Sequence, residues 1–242
     1  KEVKDGKKEI LSLDLKTLEY RSKSKASFPI LAQTKTVDDL VTRTKMLFSA
    51  KDRAGEFYRK CFSGLFSYVS HRIPEISDEV YKLDDALKAG FGWELGPFET
   101  WDAVGLEKGL KIMQDHGKTP ASWITKMVEN GHTSFYQLEN GVKKYYDQNT
   151  DTYKVIPGTE NLLFIENLRD TKTVWSNNDC HLIDLGDGIL NLEFHTKMNT
   201  IGGGVLQGIQ KGIDLAETEY SGLVISNNGA HFSAGANVGL IF

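Results

Sequence analysis

The chain has 242 residues, 40% of them hydrophobic and 26% charged, with a formal net charge of -4. That length carries a real core in one large domain or two small ones. The near-balanced charge argues against a nucleic-acid surface, which carries excess Lys and Arg, and no run reaches the roughly 18 apolar residues of a membrane span.

Residues 1–9 are almost wholly polar and do not open like a secretory leader. The chain does not begin with Met, so its true start is expected elsewhere. Residues 1–50 show no long clean period and read as extended chain and turns, with a short helix from Val37 to Phe48. From Arg53 to Ser70, apolar residues recur at spacings of three and four, from Phe57 and Tyr58 to Phe66 and Val69. This predicts a helix with a wide buried face, and Cys61 in it reads as a small core hydrophobe.

A second helix is expected from near Ser77, with Val80, Leu83 and Leu87 as its stripe and Gly90 at its end. Residues 91–101, dense in Gly, Pro and aromatics, read as a compact turn. Leu106, Leu110 and Met113 predict another helix, and Thr119-Pro120 reads as the N-cap and N1 of a helix that Gly131 stops. Residues 53–131 thus predict a four-helix domain.

Short strands follow at 143–146 and 152–156, across a polar turn at 147–151. A linker over 157–180 holds a short helical piece at 162–168. After Cys180, strands are expected at 181–185 and 189–194 around Gly186-Asp187-Gly188. A helix with Val205, Leu206, Ile209, Ile213 and Ala216 inward comes next, and Gly202 to Gly204 either weaken its first turn or permit close approach. A buried strand at 223–226 leads into a glycine-containing loop at 231–237. Strand, strand, helix, strand, loop is the opening of an α/β domain.

Residues 88–105, with Gly92, Trp93, Gly96, Pro97, Phe98, Glu99 and Trp101 in order, closely resemble the signature of the C-terminal helical domain of 3-hydroxyacyl-CoA dehydrogenases. Arg72 to Ile76 resemble the same family, as do Trp123 and Phe135-Tyr136 less sharply. Independently, Phe194 to Thr200, Gly222 to Ser226 and Phe232 to Asn237 resemble the opening of the enoyl-CoA hydratase/isomerase (crotonase) family. Their order resembles a bacterial and archaeal fusion with an NAD domain first, helical domains next and a crotonase domain last.

The resemblance implies an α+β chain: a mainly α-helical dehydrogenase C-terminal domain, then an incomplete α/β crotonase-like unit. The boundaries are 1–50 for an irregular lead-in, 51–156 for the helical domain with a small hairpin, 157–180 for the linker and 181–242 for the truncated crotonase-like part. It implies a fragment of a β-oxidation enzyme that oxidises 3-hydroxyacyl-CoA to 3-ketoacyl-CoA with NAD, with an associated enoyl-CoA hydratase/isomerase domain. The NAD-binding domain is expected outside this chain, which has no G-x-G-x-x-G heading a strand–helix unit, so the fragment alone is expected to be inactive. The alternative is a non-catalytic acyl-CoA-binding or assembly module.

By motif position, the Ala236 N–H matches the first backbone oxyanion donor of the crotonase family, Ala234 a position near the CoA adenine, and Gly235 a point of close backbone approach. Asn237 stands where the family usually has Asp or a hydrophobic residue, so no carboxylate is supplied there. The second donor and the hydratase glutamates are expected further along.

Phe91, Trp93, Trp101 and Asp102 divide between core packing and lining an acyl-CoA site, with Phe91 and Trp93 the substrate-binding candidates. Gly92, Gly96 and Pro97 shape the loop, and Glu99 fits a helix cap better than an acid. The six histidines show no zinc spacing, so no metal is expected. His195 reads as an edge or turn residue, and adjacent Cys180 and His181 should face opposite sides of a strand. A homodimer through the helical domain and a cytoplasmic location complete the expectations.

Overall fold

The structure is a computed structural model describing residues 2–4, 7–24, 27–37, 39–139, 141–160, 162–227, 229 and 231–240. The chain divides into two units, residues 1–77 with 82–133, and residues 78–81 with 134–242. Helix and sheet are both well represented, as an α+β chain requires. Among the described residues, no helix is long and apolar enough to cross a membrane.

The first unit opens with two small antiparallel ribbons, β1 (Glu2–Lys4) with β2 (Lys7–Glu9) and β3 (Leu11–Leu13) with β4 (Tyr20–Ser22). A short α1 (Pro29–Gln33) precedes α2 (Leu40–Ser49) and the long α3 (Arg53–Arg72). Carboxylates start both longer helices: Asp39 accepts from the Thr42 N–H at 2.6 Å, and Asp52 from the Gly55 N–H at 2.9 Å. Each occupies an otherwise orphaned donor at a helix N-terminus. At the far end of α2, Arg59 donates to the carbonyls of Phe48 and Ala50 at 2.9 and 2.6 Å.

Then come α4 (Val80–Phe91), α5 (Pro97–Val104), α6 (Leu106–Asp115) and α7 (Ser122–Glu129). Five helices therefore occupy the stretch expected to hold four. The additional one is α5, in the stretch read as a compact turn in which Glu99 fitted a helix cap. Helix α7 starts two residues later than expected. Ser70 Oγ on α3 accepts the Ala121 N–H at 2.9 Å, and the Trp123 indole donates to the Ser70 carbonyl at 2.8 Å. Those bonds tie down Ala121, so Thr119-Pro120 lies ahead of the helix.

The core of this unit is aromatic. Phe66 and Trp101 stack with centroids 4.8 Å apart, and Phe48 meets Phe62 edge-on at 5.2 Å. Phe66, Phe98 and Trp101 are fully buried. The outer side of α3 corrects the wide apolar face: Phe57 is 64% exposed, and Cys61 is exposed rather than a core residue. Relative to the inward row of Phe62, Phe66 and Val69, Phe57 is rotated by nearly half a turn and Cys61 by about a third.

The second unit contains a three-stranded antiparallel sheet, β5 (Tyr136–Glu139), β6 (Val142–Asp147) and β7 (Thr152–Val155). After a 3-10 turn and a one-turn α8 (Arg169–Lys172), a four-stranded sheet follows. Its strands are β8 (Thr173–Ser176), β9 (Cys180–Gly186), β10 (Ile189–Phe194) and β11 (Gly222–Ser226), in the order β11-β10-β9-β8. Strand β8, which pairs along β9, falls in the stretch read as linker. The β9–β10 hairpin turns through Gly186, Asp187 and Gly188, all at positive φ. Helix α9 (Gly203–Thr218) crosses over so that β11 runs parallel to β10.

Leu182, Leu190, Leu192 and Phe194 form the face covered by α9, with Val205 inserted from the helix. Gly204, Gly208 and Gly212 lie one turn apart along α9. A Cβ on Gly204 would overlap the Asp179 carboxylate, one on Gly208 the Cys180 sulfur, and one on Gly212 would press on Leu182 and Leu223. Gly204 thus serves close approach, one of the two roles expected for that glycine cluster.

Candidate functional site

The 92–101 segment is held by a carboxylate that no local pattern marks. Asp84 on α4 is fully buried and accepts the N–H groups of Phe98 at 2.8 Å and Glu99 at 3.0 Å. Glu99 turns back to accept the Gly96 N–H at 2.9 Å, and Lys88 pairs with Glu99 at 3.2 Å and Asp85 at 3.0 Å. Pro97 sits at the first position of α5, where its missing N–H costs nothing. Glu99 is therefore a cap, and Gly96, Pro97 and Trp101 are structural. A Cβ on Gly96 would overlap Asp84, so this position tolerates no side chain.

Beside this frame, α2, α3 and the 92–95 turn line a cavity of about 400 Å³ that is largely open to solvent. Its walls include Leu47, Tyr58, Phe62 and Leu95, and the buried Phe48 and Thr100 lie at its floor. The Trp93 ring lies 6.2 Å from Phe62 at the mouth, where Arg43 and Glu94 approach to 3.5 Å. Of the two aromatics singled out from sequence, Trp93 lines this cavity. Phe91 is 76% exposed and is not part of the lining.

The second candidate is the loop at 231–237. Asn199, held at φ +52° and nearly buried, donates to Asn227 Oδ1 and the His231 carbonyl, both at 2.8 Å. Ser233 Oγ donates to the Asn199 carbonyl at 2.7 Å. Beyond these ties the loop makes one parallel bridge: Ile201 donates to the Gly235 carbonyl and accepts the Asn237 N–H, both at 2.9 Å. In a parallel bridge the residue between those two points its amide the other way. The Ala236 N–H accordingly has no acceptor among the described residues. Gly235 lies at φ +94° and Ala234, Gly235 and Ala236 are exposed. Asn199 was not singled out as a site residue. Its positive φ, tolerated best by Asn, Asp and Gly, is visible only in three dimensions.

A dinucleotide does not fit the glycine cluster at the start of α9. The Asp179 carboxylate occupies the space against Gly204, and Asn177 donates to the Gly204 carbonyl at 2.9 Å. An anion already at a helix N-terminus opposes a pyrophosphate there.

Cys180 is fully buried under α9, and burial followed by the Asp179 charge pushes its thiol up to about 11. His181 lies on the other face, as alternation requires. It stacks on exposed His195 at 4.5 Å, and burial together with that neighbour lowers its pKa. Opposite it, Glu193 is gripped by both nitrogens of an Arg169 fork at 2.7 and 2.5 Å.

Residues 57–145 match the family model described as 3-hydroxyacyl-CoA dehydrogenase, C-terminal domain. Across 98% of its length the chain is 38% identical, over 239 residues, to a Bacillus subtilis protein named "Probable 3-hydroxyacyl-CoA dehydrogenase", of which it covers 30%. Two proteins named "Putative fatty acid oxidation complex trifunctional enzyme" are each 24% identical. The one from Rickettsia prowazekii aligns over 81% of this chain and 24% of its own length, and the one from Rickettsia felis over 99% and 29%. The chain thus spans under a third of each relative. No solved structure matches.

Proposed function

We propose that this chain is a portion of a longer fatty-acid β-oxidation enzyme. In this reading its helical unit belongs to an NAD-dependent 3-hydroxyacyl-CoA dehydrogenase, and residues from about Cys180 onward open an enoyl-CoA hydratase/isomerase domain. The observation that carries the dehydrogenase half is the family match over 57–145, together with 38% identity across nearly the whole chain. The proposed reaction is oxidation of 3-hydroxyacyl-CoA to 3-ketoacyl-CoA. NAD accepts the hydride and is held by residues outside this chain, since the glycines of α9 do not fit it. The 242 residues alone are therefore inactive as a dehydrogenase.

The hydratase half rests on the loop geometry. A thioester that gains enolate character places negative charge on its oxygen, and a backbone N–H held ready in a fixed loop stabilises that charge. The Ala236 N–H has no acceptor among the described residues, and the Asn199 ties and the Ile201 bridge fix the loop around it. We assign Ala236 as the donor, Gly235 as the point where backbone meets thioester, and Ala234 to the CoA side. Asn237 supplies no acid, so proton transfer falls to residues beyond this chain.

The test is Ala236→Pro in the long polypeptide, which deletes the one N–H. Loss of a single oxyanion donor costs ~10²–10³ in turnover. Hydration of 2-enoyl-CoA should fall by that order while oxidation of 3-hydroxyacyl-CoA persists. Unchanged hydration in this variant, or no hydration by the parent polypeptide, refutes the assignment.

A further inference from the structure

We propose that Asn199 is a positioning residue for hydration: it clamps the 227–237 loop to the turn after β10 and so sets the direction of the Ala236 N–H. This deepens the hydratase reading and rests on it for the reaction.

Backbone and side chain of this one residue both take part in the clamp. Met198 and Asn199 lie at φ +54° and +52°, a region that Asn adopts more readily than most residues other than Gly. Their carbonyls accept the Ala234 N–H at 3.1 Å and the Ser233 hydroxyl at 2.7 Å. The Asn199 amide meanwhile donates to Asn227 Oδ1 and to the His231 carbonyl, both at 2.8 Å. A carbonyl can only accept, so the nitrogen of the Asn199 amide must face His231, and both of its hydrogens are used. Asn227 passes the restraint on by donating to the Phe232 carbonyl at 2.6 Å. The fit is close: a Cβ on Gly229 would overlap Asn199 Nδ2.

Two residues further on, Ile201 bonds Gly235 and Asn237 on either side of Ala236. The turn thus grips the loop before Ala236 through Met198 and Asn199, and around it through Ile201. Asn199 is nearly buried, whereas Ala234, Gly235 and Ala236 are exposed, so it acts on a substrate only through the loop. An oxyanion donor works when its direction is fixed before charge develops, and small misplacements are costly. The Asn199 amide supplies the part of that restraint that a side-chain substitution can remove while the Met198, Ser233 and Ile201 bonds persist.

The experiment measures hydration of 2-enoyl-CoA by a polypeptide of the relatives' length. Asn199→Gly keeps the positive φ and the carbonyl but deletes both donors. Asn199→Asp keeps the shape but turns a carboxylate toward two acceptors. Each should lower kcat about tenfold or more and leave KM within about twofold. In the Ala236→Pro background neither should lower kcat further, because Asn199 acts through that N–H; a merely structural role would still cost activity there. Trp175 fluorescence during urea unfolding identifies the folded variants. If neither Asn199 variant folds, Ser233→Ala, which removes one bond to the Asn199 carbonyl, should lower kcat about threefold and likewise have no effect beside Ala236→Pro. Unchanged kcat in a folded Asn199 variant, or a further loss in the Ala236→Pro background, overturns the proposal. Hydration that falls in Ala236→Pro but not in the Asn199 variants rejects the clamp and keeps the hydratase reading. No hydration by the unmodified long polypeptide rejects that reading and the clamp with it.

Discussion

Asp84 and Phe98, fourteen residues apart on different helices, are joined by a carboxylate-to-amide hydrogen bond of 2.8 Å in a site closed to solvent. The same carboxylate takes the Glu99 N–H, so one side chain satisfies two of the donors that every helix start leaves open. The whole 92–101 segment, including the mouth of the cavity, hangs on this contact.

Replacing Asp84 by Ala should therefore destabilise the helical unit by about 2–3 kcal/mol, the scale of losing hydrogen bonds to a buried charged group. Asn keeps one acceptor oxygen and should cost less, about 1 kcal/mol. Urea unfolding checks the order Asp > Asn > Ala. An Ala variant as stable as the parent would show that Asp84 does not carry the start of α5.

Gly208 governs the fit of α9 on its sheet, because a Cβ there would overlap the Cys180 sulfur. Gly208→Ala raises helix propensity by about 1 kcal/mol, yet overpacking should outweigh it and leave a net loss of about 1–2 kcal/mol. Trp175, packed against the same core, reports the unfolding of this unit by fluorescence. A net gain in stability would mean that α9 does not lie as close as described.

The two cysteines should differ sharply toward thiol reagents. Cys61 is exposed, whereas Cys180 is buried with its thiol pushed up to about 11. Iodoacetamide at pH 8 should modify Cys61 alone in the folded chain and both after denaturation, counted by mass spectrometry. Stability follows the same shift. The folded thiol holds its proton longer than the unfolded one, whose pKa is about 8.5. The contribution is full below that value and is lost as pH rises toward about 11. Rapid labelling of Cys180 in the native chain would contradict the buried placement.

Much of the element order was legible because the relevant signals are local. The spacing of Phe62, Phe66 and Val69 announced α3, and Gly186-Asp187-Gly188 announced the β9–β10 turn. Helix α5 was hidden by its composition: Gly96 and Pro97 read as punctuation, although Pro at the first helical position with Glu two residues on is also a helix-start pattern. Strand β8 has only four residues and no run long enough to show alternation.

The outward turn of Phe57 and Cys61 escaped because an apolar residue on a helix need not face the core. For the site, the Phe232 to Asn237 motif pointed to the loop. Asp84 and Asn199 act across 14 and 32 residues of sequence, and nothing in their neighbours betrays the partner.

In the proposed reading, this chain contributes to a dehydrogenase whose cofactor is held by residues outside it. The direct measurement is NADH formation from 3-hydroxyoctanoyl-CoA and NAD, by the 242-residue chain and by a polypeptide of the relatives' length that contains it. The expected result is steady NADH production by the long polypeptide and none by the short one. NADH from the short chain alone, or from neither, would contradict it.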